Sequence, residues 1–253
     1  SNPEKFENYY EEIGSILHEY VGEGQSILDC GTGEMTTLCG VISKIGKELD
    51  EIYAFDISVS RIDMGRRFFR KNIRSRGMVN YFVANMSSIP MPRSSIDVVW
   101  TSHAVEPNSN KAGEIIGEIL RVARQKVLLF EPSYEKNTER GRKRMDRLGY
   151  VKGIPSKIEK RGGSIEDIFE LDSTLNSLNP THAYVINPEK SANGASNIES
   201  GSFICPITGK PIYDMGGYFF SDNSLIAYPS IDGIPLLRDR HGILATNFHV
   251  DTE

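Results

Sequence analysis

Short apolar runs alternate with amphipathic segments along the first half of the chain. The runs are five or six residues long and lie at residues 26–30, 51–56, 80–84, 95–100 and 126–130. Segments with the apolar spacing of helices occupy residues 4–20, the stretch up to about residue 46, the stretch from residue 61, and residues 113–122. Runs with few polar positions are typical of strands covered on both faces. The pattern therefore predicts an α/β fold with a doubly wound, mostly parallel sheet.

The pattern weakens after Phe130. Residues 164–169 are ambiguous, and residues 183–186 predict a last strand. Small and polar residues then indicate a linker, and short β-like runs separated by Gly, Pro and Asp-Gly follow it. We expect a first domain at residues 1–187, a linker at 188–201 and a small, mostly β domain at 202–253.

Composition excludes several protein classes. The 253 residues include 29 basic and 34 acidic side chains, a net charge of −5, which argues against a protein that coats nucleic acid with its whole surface. No apolar run approaches the ~18–20 residues that span a bilayer, and no signal-peptide pattern opens the chain. Three widely spaced cysteines make a disulfide framework improbable, so a cytoplasmic location is expected. The oligomeric state stays open.

Positive charge is concentrated in two segments. Residues 61–77 carry seven basic and one acidic side chain, and residues 135–161 carry ten and four, so each segment has a net charge of +6. Together they would form a patch for an anionic substrate if the fold brings them together. The alternative is that the first segment is the solvated face of a helix.

A glycine turn follows the first apolar run. Gly31 and Gly33 stand where the chain must turn sharply and approach a ligand closely. Asp56 ends the second run, 23 residues after Gly33, where a carboxylate accepts hydrogen bonds from the ribose hydroxyls of a nucleoside cofactor. The third run ends at Asn85 and Met86, which suit the edge of an adenine.

Two residues separate the cofactor classes. Thr36 stands where a dinucleotide-binding turn has its third glycine. Asp29, directly before the turn, is unfavourable beside a pyrophosphate and suits a cationic amino-acid group. The residues themselves therefore favour S-adenosylmethionine over NAD.

Several motifs resemble, in order, those of class I S-adenosylmethionine-dependent methyltransferases. They are Leu28-Asp29-Cys30-Gly31-Thr32-Gly33, Phe55-Asp56-Ile57-Ser58, Val83-Ala84-Asn85-Met86 and Ile96-Asp97-Val98-Val99 with Thr101-Ser102-His103. The resemblance covers about residues 13–133. It implies that the methionine part lies at Asp29 and Gly31, the ribose at Asp56 and the adenine at Asn85 and Met86. The implied cofactor-binding set is Asp29, Gly31, Gly33, Asp56, Ile57, Asn85, Met86 and Ser102.

The loop after the fourth run carries the candidate catalytic groups. His103 has a suitable pKa for a general base, and Glu106 is placed to orient it. The alternative is that His103 only caps the loop. Asn108, Glu131 and Tyr134 are the candidate substrate-binding residues.

The last 52 residues resemble small zinc-ribbon-like domains that partner or extend methyltransferases. The ligand positions of that pattern are occupied by Cys205, Thr208, Ser221 and Ser224, which leaves one thiolate of the four that tetrahedral zinc requires. No metal is therefore expected. The domain either contacts a substrate or partner, or it buttresses the catalytic domain.

The combined expectation is methyl transfer from S-adenosylmethionine to a small or medium-sized, anionic acceptor. An oxygen of a sugar or surface-polysaccharide precursor fits best, and S-adenosylhomocysteine is the product. Two alternatives stay open. One is an RNA or protein methyltransferase, although nucleic acid is not favoured. The other is a catalytically inactive cofactor-binding scaffold, which Met35 and Asn85 permit because they depart from the family pattern.

Overall fold

The structure, a computed structural model, describes residues 3–73, 79–189 and 202–245. The helices of its first part are α1 (Pro3–Tyr20), α2 (Thr36–Ile45), α3 (Val59–Asn72), α4 (Ala112–Val122), α5 (Glu139–Leu148) and α6 (Ile154–Lys160). The strands are β1 (Gln25–Cys30), β2 (Leu49–Asp56), β3 (Val79–Val83), β4 (Ile96–Ser102), β5 (Ala123–Pro132), β6 (Ser164–Glu170) and β7 (Thr181–Asn187).

The seven strands form one sheet in the order β3-β2-β1-β4-β5-β7-β6. The five predicted strands are parallel, and β7 and β6 extend the sheet with antiparallel pairs. The predicted α/β, doubly wound and mostly parallel sheet is confirmed. The ambiguous residues 164–169 belong to the edge strand β6, whose exposed positions explain why their periodicity is weak.

Helices cover both faces of the sheet. The apolar stripe of α1, which includes Tyr9, Ile13 and Leu17, is buried in the same cluster as α2. The helix α2 begins after Met35, whose left-handed backbone (φ 56°) is uncommon for a residue with a side chain. The Met35 side chain is fully buried and fills the space beside Gly65. Apolar packing thus stabilises a conformation in which glycine is the usual residue.

The C-terminal residues form a second, antiparallel sheet. Its strands are β8 (Phe203–Ile204), β9 (Pro211–Asp214), β10 (Tyr218–Ser221), β11 (Ile226–Ile231), β12 (Ile234–Pro235) and β13 (Ile243–Leu244). The predicted small β-rich unit is confirmed. Residues 190–201 of the predicted linker lie outside the described residues, so the division into domains stays a prediction.

The second sheet packs against the β3 edge of the first. The amide of Leu237 donates to the carbonyl oxygen of Val83 over 2.8 Å, and Leu236 forms a parallel bridge with the same residue. The ring centroids of Phe82 and Phe203 are 5.0 Å apart, and buried Tyr228 belongs to the same apolar cluster. The contact covers part of an edge whose backbone groups would otherwise lack partners.

Residues 61–73 of the first basic segment and the second basic segment lie at opposite edges of the large sheet. The first contains α3, which packs against β3 and β12, whereas the second contains α6, which packs against α4 and β6. Because β3 and β6 are the two edge strands, the fold does not bring these helices together, and the condition for a joint basic patch is not met. None of the helices within the described ranges has the length and apolar character that a membrane crossing requires.

Candidate cofactor and acceptor site

A cavity of about 660 Å³ opens at the carboxyl ends of the parallel strands. This edge, next to the point where the strand order reverses, is where open α/β sheets bind their ligands. Eight of the predicted site residues line it: Gly31, Asp56, Ile57, Asn85, Met86, Ser102, His103 and Asn108. The other five lie behind the wall or outside it: Asp29, Gly33, Glu106, Glu131 and Tyr134.

The turn after β1 brings backbone close to the cavity. Gly31 has φ +76°, and a β-carbon there would lie 2.7 Å from that of Ala104. The amides of Gly33 and Ser58 donate to the two oxygens of the Asp56 carboxylate over 3.1 and 2.9 Å. These bonds fix Asp56 at the tip of β2, with one edge toward the cavity.

A buried acid stands behind this wall. Asp29 is 3% exposed, and its burial, with a contribution from the charge of Asp56, raises its pKa to about 7. The hydroxyl of Thr32 lies near this carboxyl and lines the cavity. It is buried and has no hydrogen-bond partner of acceptable geometry among the described residues. An acid without a cation and a hydroxyl without a partner fit the ammonium and carboxylate of an amino-acid group.

The far end of the cavity suits an adenine. Ile57 is 52% exposed and forms part of the wall with Phe55, Asn85 and Met86. The side-chain oxygen of Asn85 accepts a hydrogen bond from the amide of Ser87 over 3.1 Å. That bond fixes the amide plane at the end of the third strand.

His103 occupies the opposite wall, directly after β4. Its backbone is left-handed (φ 53°). Its Nδ1 donates to Glu106 over 2.8 Å, and a 2.8 Å hydrogen bond joins its Nε2 to Thr181 Oγ1. Asn179 donates to the same Glu106 oxygen over 3.0 Å. With the proton of the neutral ring on Nδ1, Nε2 is the nitrogen available to a base, and the Thr181 hydroxyl faces it.

Glu131 supports this loop from below. Its carboxylate accepts the backbone amides of Ala104, Val105 and Glu106 over 2.9–3.0 Å and the Thr101 hydroxyl over 2.8 Å. The residue is fully buried. These four donors occupy the carboxylate, so the prediction that Glu131 contacts a substrate is wrong; the residue positions the His103 loop instead.

Tyr134 also lies outside the cavity wall. Its hydroxyl donates to Asp146 over 3.2 Å, and the ammonium of Lys152 stands 4.4 Å from the centre of its ring. These contacts join Tyr134 to the basic segment that follows β5. The structure therefore does not support the predicted substrate contact through this cavity.

The surroundings of His103 favour its charged form. Burial lowers the pKa of the ring, but the hydrogen bond to Glu106 and the charges of Glu131 and Glu106 outweigh it, so the pKa is raised. The pKa of Tyr9 is raised to about 12, chiefly by burial, although hydrogen bonds to Ser102 and Thr181 oppose the shift. Tyr9 therefore stays a neutral phenol beside the His103 group.

Sequence reasoning missed Thr181, Asn179 and the hydroxyl of Tyr9. Because β7 is antiparallel to β5, its first residue pairs with Pro132 at the carboxyl edge of the parallel strands. The signal that could have found Thr181 is the position of a last antiparallel strand, which must begin at the ligand-binding edge. Tyr9 is spaced as a core residue, and its ring is buried as such.

A comparison with protein families matches residues 28–130 to the family described as "Methyltransferase domain". The matched residues are about two fifths of the chain, and the match supports an S-adenosylmethionine-dependent methyltransferase. The predicted cofactor, S-adenosylmethionine, is confirmed with it. The matched residues 28–130 include every predicted cofactor-binding residue.

Curated relatives match a part of the chain. The Escherichia coli ubiquinone/menaquinone biosynthesis C-methyltransferase UbiE is 32% identical over 93 residues, which are 36% of this chain and 36% of that protein. The chain therefore spans about a third of the length of the curated relatives that it matches. The substrates and activity of those whole proteins are not transferred by this match.

Solved structures share the fold at low identity. A methyltransferase from Methanosarcina mazei has a TM-score of 0.57 and 18% identity, over 70% of this chain and 98% of that one. Magnesium protoporphyrin IX methyltransferase from Synechocystis, solved with bound S-adenosylhomocysteine, has a TM-score of 0.55 and 14% identity, over 73% of this chain and 84% of that one. A chain from the Haloferax volcanii complex of a methyltransferase with the activator Trm112 has a TM-score of 0.56 and 13% identity, over 76% of this chain and 100% of that one.

Proposed function

We propose that the protein transfers a methyl group from S-adenosylmethionine to an oxygen of a small or medium-sized, anionic acceptor, such as a sugar or a surface-polysaccharide precursor. The observation that carries the proposal is one cavity with Asp56 on one wall and the His103–Glu106 pair on the other. The family match supports the methyl donor.

The cofactor would be bound by residues already fixed in place. Asp56 would accept the ribose hydroxyls, Asn85, Met86 and Ile57 would surround the adenine, and Asp29 and Thr32 would lie near the amino-acid group. When bound, S-adenosylmethionine supplies an electrophilic methyl carbon. Gly31 must lack a side chain, because a β-carbon there would meet Ala104, and its backbone forms part of the cavity wall.

His103 would remove the proton of the acceptor hydroxyl. Its Nε2 is held by Thr181, whose hydroxyl can donate to the ring while it accepts from the acceptor. The proton then passes through Thr181, or directly to Nε2 when the acceptor replaces the Thr181 bond. Glu106 and Glu131 stabilise the resulting imidazolium.

The anionic character of the acceptor is inferred from the cavity mouth. Lys111 lines the cavity beside Asn108. The amide of Val151, within the second basic segment, donates to the carbonyl oxygen of Glu106 over 2.9 Å. This bond keeps that segment, with its net charge of +6, next to the catalytic loop.

The cofactor site is tested by calorimetric titration of S-adenosylmethionine and S-adenosylhomocysteine. Asp56→Ala should weaken binding about 10–100-fold, because charge-assisted hydrogen bonds contribute about 1.5–3 kcal/mol. Asp63→Ala is the matched control, since Asp63 pairs with Arg66 and Arg67 on the surface of α3. Equal affinities in all three proteins would show that the ribose site is elsewhere.

The acceptor is tested by a methylation screen that starts with nucleotide sugars. His103→Ala should abolish most turnover with cofactor affinity intact. Thr181→Val separates the two proton paths: loss of turnover indicates a relay through Thr181, and retention indicates direct transfer to Nε2. Methylated carbon in the product would contradict the oxygen assignment, and a steep loss of RNA methylation with salt would favour RNA. Cofactor binding without turnover on any acceptor would favour the scaffold alternative.

We also propose that the C-terminal sheet is a metal-free relative of the zinc ribbons. Cys205 lies in one turn and Ser224 in another, with Sγ and Oγ 3.9 Å apart, and the Tyr228 hydroxyl lies 3.2 Å from the sulfur. Within the described residues, no group of three or more His, Cys, Asp and Glu side chains is placed to hold a metal. Replacement of Thr208, Ser221 and Ser224 by cysteine should create a zinc site; failure to bind zinc in the folded variant would contradict the relationship.

A further inference from the structure

A second cavity, of about 490 Å³, lies at the seam between the two sheets. One side is the turn between β2 and α3, with Ile57, Ser58 and Val59. The other side carries Arg238, Arg240 and His241, around a short 3-10 helix after β12. Within the described residues, no carboxylate lines this cavity, and its two permanently charged side chains are Arg238 and Arg240.

Two buried nitrogen atoms in this wall lack partners among the described residues. The Nε of Arg238 is buried and makes no hydrogen bond to any described residue, although Nη1 of the same side chain donates to the carbonyl oxygen of Ile57 over 3.3 Å. The Nδ1 of His241 is also buried without a partner of acceptable geometry, although its ring lies near the carbonyl of Leu236. A buried guanidinium N–H without an acceptor is rare, and a ligand that supplies an acceptor would satisfy it.

The electrostatic field in the cavity is positive. Burial and the charge of Arg240 lower the pKa of Arg238, and burial with both arginine charges lowers the pKa of His241. Asp239 opposes these shifts from the same turn, but it does not line the cavity. The helix α3 begins at this wall and has no acidic residue in its first turn, so its N-terminal dipole adds to the same field.

We propose that this cavity binds the phosphate group of a small molecule. A phosphate offers several acceptor oxygens and a double negative charge, which the guanidinium groups of Arg238 and Arg240 match in geometry and sign. The site is distinct from the cofactor cavity, since Ile57 is the one residue that lines both cavities in the part of the chain that the structure describes. A bound phosphate would join the C-terminal turn to the beginning of α3 and stabilise the seam.

The proposal is tested by calorimetric titration of inorganic phosphate and of glycerol 3-phosphate at constant ionic strength. Arg238→Gln with Arg240→Gln should weaken phosphate binding about tenfold or more, the expected effect of losing charge-assisted hydrogen bonds. Lys210→Gln is the matched control, because Lys210 is an exposed cation of the same sheet that does not line the cavity. Tighter binding of glycerol 3-phosphate than of inorganic phosphate would identify an esterified phosphate as the ligand.

Arg240→Gln alone provides a variant whose folding is not in question, because Arg240 is exposed. It should weaken binding and leave the unfolding midpoint without phosphate unchanged. Absence of phosphate binding by the wild-type protein would overturn the proposal. Equal binding by the wild type, the double variant and the Lys210 control would overturn it as well.

Discussion

Two short loops of this molecule, the His103 loop and the Cys205 turn, each hold a titratable side chain, and they do so differently. A charged group holds the His103 loop in place. The buried Glu131 carboxylate accepts hydrogen bonds from three consecutive backbone amides and from one hydroxyl. The Cys205 turn is built on neutral groups. Its thiol is fully buried, with the hydroxyls of Tyr228 and Ser224 as its neighbours.

The difference follows from what each loop must hold. A buried carboxylate is costly unless every lone pair has a partner, but it then fixes its partners firmly and raises the pKa of a nearby imidazole. Burial of hydroxyl groups around a thiol costs less free energy than burial of a carboxylate, but it holds the neighbouring groups less firmly. The charged arrangement lies at the ligand-binding edge and the neutral one lies in the supporting sheet. Four substitutions test this contrast, from the largest expected effect to the smallest.

Glu131→Ala should have the largest effect. It leaves the Thr101 hydroxyl and three loop amides buried without an acceptor, which should lower the free energy of unfolding by about 3–5 kcal/mol. Glu131→Gln keeps one acceptor oxygen and should lose about half as much. Urea denaturation measures both effects. Glu139→Ala, at an exposed ion pair with Lys143, should change stability by less than ~1 kcal/mol. Equal losses of unfolding free energy for Glu131→Ala and the control would contradict the proposed role of Glu131 in holding the His103 loop.

Asp29→Asn tests the buried acid. Because the folded protein holds the Asp29 proton up to about pH 7, whereas the unfolded chain releases it near pH 4, this group lowers stability progressively between these pH values. The variant lacks that dependence, so its advantage over the wild type should grow by about 2–4 kcal/mol from pH 4 to pH 8. Unfolding free energies across this range provide the measurement. Parallel curves for the two proteins would contradict the shifted pKa.

Glu106→Gln tests the charge on the His103 loop. A neutral partner removes one of the groups that raise the His103 pKa, so the pKa should fall. A base acts only when deprotonated, so activity is lost as pH falls through this pKa. The acid limb of the rate profile should therefore move to lower pH, while the affinity for S-adenosylhomocysteine stays constant. An unmoved acid limb would assign it to another group.

Tyr228→Phe tests the neutral cluster and should have the smallest effect. It removes the hydroxyl next to the Cys205 thiol but keeps the buried ring, so stability should fall by about 1 kcal/mol. Burial raises the pKa of this thiol, but hydrogen bonds from Thr208 and Tyr228 outweigh it and lower the pKa overall. Urea denaturation measures the loss of stability, and titration of the thiolate absorbance of the folded variant should show a higher Cys205 pKa than in the wild type. A loss comparable to that of Glu131→Ala would erase the contrast between the loops.

The local sequence pattern was sufficient to predict the parallel sheet and the residues of the cofactor-binding cavity wall. Strand periodicity placed the glycine turn, Asp56 and Asn85 at successive strand ends, and the ends of neighbouring parallel strands lie at one edge. The pairing of His103 with Glu106 was predictable as well, because the two residues lie three positions apart in one loop. These features depend on short stretches of chain and on a regular topology.

The tertiary structure decided the rest, because those contacts join positions far apart in sequence. Thr181 meets His103 only because β7 pairs antiparallel with β5 and begins at the ligand-binding edge. Glu131 looked like a substrate ligand at a strand end, but its side chain turned beneath the loop, where four donors needed an acceptor. The basic segments separated to opposite edges of the sheet, since strand order, and not sequence distance, sets which segments are neighbours.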